Sequence, residues 1–551
     1  MNNFFFKKNL IYFLLLFIII IGFYIVEDFG IGIEEHFQRK SGFYWLNYIL
    51  NLINTDFLSL EVDKKINEIN YLNPNLFQIE QVPYYGIIFD LPMAFIETIF
   101  KINEPNQYFY FRHVTIFCIF LLSSFFFYKI IFERFNNYYL ANLGFILFIF
   151  TPRIFGNIFF DNKDILFLSI ITITFYYYLK YFKKNSVKNL IYLSIFSSLS
   201  TSARIIGFLV PISFIIIILL YLINGNDLKK NIKIFFIFVF IYLFALFAHW
   251  PYLWSLSYYN FLNFFSPFFQ AMNPIVFFNG EFYQSKYLPI SYLPLWIILT
   301  TPVFILVLFI NGFYFKIKRV FLKFINVDKS KIFSKFDLWN SNEECFDLFV
   351  LINFLLIVFL YISVDLALLS GWRHFYFLNF FLIYFSCFSL HIIYIKFRNN
   401  NKIKYIFSFS CFIFLILMIS DIYKYHPFQS SYFNKLVSNQ LKKKFEIDTQ
   451  SLSRVHAVKE ILNERNNQVS IGTASWTPLE NSRSLIPTKL WEKLNFVGTN
   501  FENADFIYTN HYYEVNINYN KKYQIPENFY LYKIFSVDGT RIYSIYKNKK
   551  K

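Results

Sequence analysis

Residues 9–26 read NLIYFLLLFIIIIGFYIV, an uncharged run preceded by Lys7-Lys8 and followed by Glu27-Asp28. As a helix it rises about 27 Å, close to the roughly 30 Å of a bilayer's hydrocarbon core. No small-residue cleavage site follows, so the run is expected as a retained first membrane helix and not as a signal peptide. Further apolar blocks of similar size lie at roughly 110–132, 137–153, 164–182, 189–203, 206–223, 232–250, 290–315, 347–368, 374–395 and 404–422. The expected fold is therefore an all-α polytopic bundle of about 11 transmembrane helices.

Composition points the same way. A soluble chain of 551 residues would hold roughly three or four domains, but here 56% of residues are apolar and only 16% are charged, against about 25% charged in soluble proteins. That balance excludes disorder and an ordinary cytosolic enzyme. The net charge of +17 does not imply nucleic acid, because Lys and Arg gather in the connections at 129–134, 180–188, 229–233, 316–335 and 396–404. With Lys7 and Lys8 these define the cytoplasmic side. The N-terminus is then cytoplasmic, and the loop 27–109 and everything after 423 face outward. Cys118, Cys345, Cys387 and Cys411 have no metal-like or paired spacing. Abundant Phe, Ile, Asn and Lys with 15 Gly look like the imprint of an AT-rich bacterial genome and say nothing about chemistry; the chain is expected as a multi-pass protein of a bacterial inner membrane, surrounded by lipid.

Two domains are expected: a membrane domain over 1–423 and a periplasmic α/β domain over 424–551. The latter is expected to hold a helix at 450–465, strands at 468–474 and 505–508, and a hairpin turning at Asp538-Gly539.

Outside the first span stands Gly32-Ile33-Glu34-Glu35-His36-Phe37, two adjacent carboxylates at the membrane surface. They are either a polar helix exit or part of a site. The outer loop Thr151-Pro152-Arg153-Ile154-Phe155-Gly156-Asn157-Ile158-Phe159-Phe160-Asp161-Asn162-Lys163-Asp164 puts four charges into an apolar stretch. Asp161 or Asp164 would cap the following helix, or the charges would line a wet cavity. Arg204 and Trp372-Arg373-His374 lie on the same side, to snorkel, cap or hold a phosphate. Acids with Arg and His at one membrane face suit transfer of a sugar from a lipid-borne phosphate. A carboxylate takes the acceptor hydroxyl's proton, and cations neutralise the leaving phosphate. That chemistry requires no metal, and no His/Cys cluster has ligand spacing.

On these motifs the chain resembles membrane glycosyltransferases of the GT-C class, close to the dolichyl-phosphate-mannose protein mannosyltransferases and the aminoarabinose lipid A transferases. The resemblance rests on Glu34-Glu35-His36-Phe37, Thr151-Pro152-Arg153 with Phe159 to Asp164, Gly371-Trp372-Arg373-His374-Phe375-Tyr376, and His426-Pro427-Phe428-Gln429 with Tyr432-Phe433-Asn434. It covers residues 1 to about 435. It implies a polyprenyl-phosphate sugar as donor, inversion at the anomeric carbon, and catalysis by the first acid of the pair. Glu34 stands where the family has Asp, which leaves the choice between Glu34 and Glu35 open. Asp164 falls at the second acidic motif, and Arg153, Lys163, Arg204, Arg373 and His374 are the candidates for the donor phosphate. Asp161, Tyr84, Tyr85 and Asp90 are candidate loop residues over the site. No cofactor is implied, and the acceptor is a glycan, lipid or protein. A transporter or flippase, or a polymerase or ligase of lipid-linked glycans, are the alternative readings.

Overall fold

The structure, a computed structural model, describes residues 2–72, 86–223, 228–255, 273–325, 338–465, 467–511 and 521–549. Each expected apolar block is helical. Among the described residues, eight segments are long and apolar enough to cross a membrane: the first helix, Pro105–Phe135, Asp164–Lys183, Ile205–Ile223, Leu228–His249, Asn342–Ser363, Leu378–Phe397 and Asn401–Tyr425. This is a multi-pass membrane protein.

The count of eight against an expected eleven has local causes. Tyr138–Phe150 has 13 residues and rises only about 20 Å. Val187–Ala203 has 17 and carries five serines within its apolar stretch. The block at 290–315 is broken at Pro302, which removes a donor and whose ring clashes with the preceding turn, into Tyr292–Thr300 and Val303–Ile325. The second piece is long enough to cross, but Lys316, Lys318, Arg319 and Lys323 make its second half too charged to be one of the eight. The orphaned carbonyls at the break are satisfied from far along the chain. Asn434 donates from Nδ2 to the carbonyls of Ile298 and Thr301 at 2.6 and 3.0 Å, and from its backbone to Leu299.

A buried ion cluster pins four helices at the end of the bundle away from Glu34. Asp347 accepts both arms of Arg134 at 2.7 Å, Lys316 at 3.1 Å and the Tyr384 hydroxyl at 2.5 Å. In lipid such a charge persists only when paired.

The first outer loop forms helices Glu35–Leu52, Asp56–Leu72 and Asp90–Ile99. After the bundle, the chain builds a five-stranded mixed sheet, with β1 (Ile275–Phe278) and β2 (Glu281–Gln284) forming a separate hairpin. The sheet contains β3 (Val469–Thr473), β4 (Leu494–Gly498), β5 (Phe506–Thr509), β6 (Phe529–Val537) and β7 (Thr540–Asn548), in the order β4-β3-β5-β7-β6. β3 runs parallel to β4 and β5, while β7 pairs antiparallel with β5 and β6. The β6–β7 turn is at Asp538-Gly539, both at positive φ, as a tight hairpin of the right twist requires.

The helix Ser453–Glu464 seats this region on the segment leading to Glu34. Arg454, fully buried, donates to the carbonyls of Ser451, Pro478 and Ile31 at 2.9, 2.6 and 3.1 Å. His36 pairs with the Ser484 hydroxyl at 2.9 Å and His456 with the Asp28 carbonyl at 2.9 Å. Gly30 lies so close to Leu452 that a Cβ there would stand 2.3 Å from its carbonyl oxygen.

Candidate active site

Adjacent in sequence, Glu34 and Glu35 have different fates. Glu35 is 2% exposed; one oxygen accepts the Gly32 N–H at 2.7 Å and the other meets His113 Nε2 at 2.9 Å. Both oxygens are spent on holding the loop against helix Pro105–Phe135. Glu34 sits at the N-cap of Glu35–Leu52 but makes no side-chain capping bond, since Glu is a poor cap beside Ser, Thr, Asp or Asn. Its side chain, 38% exposed, instead pairs with Arg373. Burial pushes the Glu34 carboxyl up, but Arg373, Arg204 and Lys163 together pull it below the ordinary range. It is therefore a carboxylate at neutral pH, facing an opening.

Arg373 reaches Glu34 because Ser370 and Gly371 both take positive φ and turn the chain sharply into the 3-10 turn Arg373–Phe375. Trp372 anchors that turn by donating Nε1–H to Thr300 Oγ1 at 2.9 Å. Despite burial, Glu34, Asp164 and Asp161 raise the Arg373 pKa above its ordinary value, so its charge is secure. Arg204, just after helix Val187–Ala203, pairs with Asp164. Lys163 reaches the Gly86 carbonyl at 3.4 Å. Burial and the neighbouring Arg204 lower its pKa to about 8.

His374 is driven well below its ordinary range by burial and by Arg204 and Arg373. It contributes a neutral ring, able to donate one N–H but no charge. Asp161 takes the capping alternative: its Oδ1 accepts the backbone N–H groups of Lys163 and Asp164 at 3.2 and 2.8 Å. Burial and neighbouring Asp164 raise its pKa well above the ordinary value. The structure thus brings Glu34, Asp161, Lys163, Asp164, Arg204, Arg373 and His374 to one place.

The other expected residues lie at the edge of this cluster or outside it. Arg153 is not a member of the Glu34 cluster. Pro152 starts the short helix Pro152–Asn157, which carries Arg153 into a fully buried slot where Nε donates to the Tyr432 carbonyl at 3.2 Å. Its guanidinium lies over Trp296 and Phe433, 4.7 and 5.5 Å from the ring centres. Asp90 borders the cluster, accepting from Asn162 Nδ2 at 3.5 Å and facing Lys163, while its pair with the buried Arg112 fixes helix Asp90–Ile99 to helix Pro105–Phe135. Tyr84 and Tyr85 lie outside the described residues.

Glu446 is a residue that the pattern did not single out. It is buried beside Gly371, and burial raises its pKa to about 8. Neither it nor Arg454 sits in a local motif, so no sequence signal marks them. Among the described residues, no group of three or more His, Cys, Asp and Glu side chains is arranged to hold a metal ion.

No family model matches the sequence, and no curated protein matches it. Among solved structures, the chain is similar to ArnT from Cupriavidus metallidurans. The apo form shares 10% identity over 84% of this chain and 87% of that one, with a TM-score of 0.42. The form bound to undecaprenyl phosphate has the same identity and coverage and a TM-score of 0.40.

Proposed function

We propose that the chain is a GT-C-class glycosyltransferase that moves one sugar from a polyprenyl phosphate to an acceptor hydroxyl, with inversion. The acceptor is carried by a glycan, lipid or protein on the outer side of a bacterial inner membrane. The N-terminus is then cytoplasmic and residues 424–551 form a periplasmic domain. The reading is carried by one observation: Glu34, unlike Glu35, is a partly open carboxylate kept ionised by Arg373, Arg204 and Lys163.

Glu34 takes the acceptor proton as the acceptor oxygen attacks the anomeric carbon. The bond from that carbon to the phosphate oxygen breaks, and polyprenyl phosphate leaves. Arg373, Arg204 and Lys163 neutralise the charge that grows on the phosphate, and a guanidinium grips two of its oxygens at once. Because Arg373 pairs with Glu34, the donor phosphate competes with that carboxylate for the guanidinium. Binding of donor releases Glu34 for its task.

The test is turnover by purified protein of a monophosphate-linked sugar, paired with lipid and glycan analysis of a deletion strain. Turnover confined to diphosphate-linked oligosaccharides favours a polymerase or ligase. Movement of a lipid-linked glycan across vesicles without a new glycosidic bond favours a transporter.

A further inference from the structure

The end of the bundle away from Glu34 contains a groove that the proposed reaction does not use. Helix Leu378–Phe397 starts beside Arg373, and helix Asn401–Tyr425 ends beside His426, which meets Asp28 at 2.9 Å. Their other ends therefore lie about 30 Å away along the helix axes. There, the short helix Tyr138–Phe150 and these two helices part around a cavity of about 470 Å³. Its walls include Leu143, Leu390, Phe407, Cys411 and Leu415, with His391 and Lys404 also lining it.

Three observations specify the occupant. From Ile403 to Leu415, both lining the groove, helix Asn401–Tyr425 rises about 18 Å, close to the roughly 15 Å depth of one leaflet. Lys396, Arg398, Lys402 and Lys404 cluster at this end, and no acidic residue occurs from 391 to 420. Among the described residues, none of the four cations makes an ion pair; Lys396 lies over the Phe397 ring, 5.4 Å from its centre.

We propose that this groove holds one acyl chain of an anionic glycerophospholipid, with its phosphate at Lys404. Basic residues at the end of an apolar cleft between membrane helices are matched by such a headgroup and chain. A second copy packed symmetrically here would set its four cations against these four. A donor lipid bound with its phosphate at Arg373 would begin at the opposite end of the helices.

The experiment is native mass spectrometry of the full chain, exchanged into micelles with equal phosphatidylglycerol and phosphatidylcholine of identical chains. The wild type should retain one phosphatidylglycerol with a preference of about fivefold or more, since each near-surface cation contributes about that factor. Lys404→Gln should reduce the preference about fivefold. Ser408→Trp, which puts an indole into the groove from an exposed position, should abolish retention while the protein stays monodisperse. Equal retention of the two lipids, unchanged selective retention in both variants, or a lipid-free dimer would each overturn the proposal.

Discussion

Gly30→Ala tests whether the terminal region sets the position of Glu34. An added methyl at residue 30 would stand 2.3 Å from the Leu452 carbonyl oxygen and 3.0 Å from its carbon. Non-bonded heavy atoms settle near 3.5 Å, so the two backbones must separate by about 1 Å. Leu452 sits at the start of a helix that Arg454 ties to the Ser451 and Pro478 carbonyls, so the segment bearing Glu34 is the part that yields. Overpacking of this kind costs about 1–3 kcal/mol, which leaves the bundle folded. A displacement of about 1 Å in a reacting group lowers rate on the order of 100-fold. The assay is sugar transfer in membranes carrying the variant, normalised to monodisperse protein. Gly32→Ala is the internal comparison, because its methyl meets mainly the Phe160 ring at 3.1 Å, which can tilt aside; it should be nearly silent. Wild-type transfer by well-folded Gly30→Ala would refute the positioning argument.

Glu34→Gln should lower transfer by about 100- to 10,000-fold, whereas Glu35→Gln should chiefly lower melting temperature through the bond to His113. Reversal of the two phenotypes would transfer the base to Glu35. Lys163, with a pKa near 8, is charged below that pH and neutral above it. Donor affinity should therefore fall as pH rises past 8, and Lys163→Arg should extend the alkaline limb; identical profiles would remove Lys163 from the phosphate site. Asp347→Ala leaves Arg134 and Lys316 buried without their carboxylate, a loss of about 3–5 kcal/mol, measurable as thermal stability in detergent. A reporter after Lys435 should be active only outside the cytoplasm and one at Asn399 only inside; the reverse pattern would invert the proposed orientation, and both on one side would show that Asn401–Tyr425 does not cross.

The helices were legible because lipid leaves the backbone few alternatives, and the hairpin at Asp538-Gly539 because two adjacent positive-φ positions need such residues. The break at Pro302 was hidden inside a continuous apolar block, since the residue that makes it tolerable, Asn434, lies more than a hundred positions away. Sequence placed Glu34 and Glu35 together as candidates. It could not rank two identical groups whose difference is that helix Pro105–Phe135 supplies His113 to only one of them. Arg153 read as a polar loop residue because Trp296 and Phe433, which form its slot, come from distant segments.

The contacts that seat the terminal region have a bearing on synthesis. Arg454 and Ser484 follow the residues they hold, Ile31 and His36, by 423 and 448 positions. A nascent chain already threaded into the membrane through its last span still lacks the groups that fix its acidic loop. A chain terminated between its last span and Arg454 carries every span but leaves the segment bearing Glu34 without the bonds at Ile31 and His36 that hold it. On the proposed function, such a truncated product occupies membrane without consuming lipid-linked sugar.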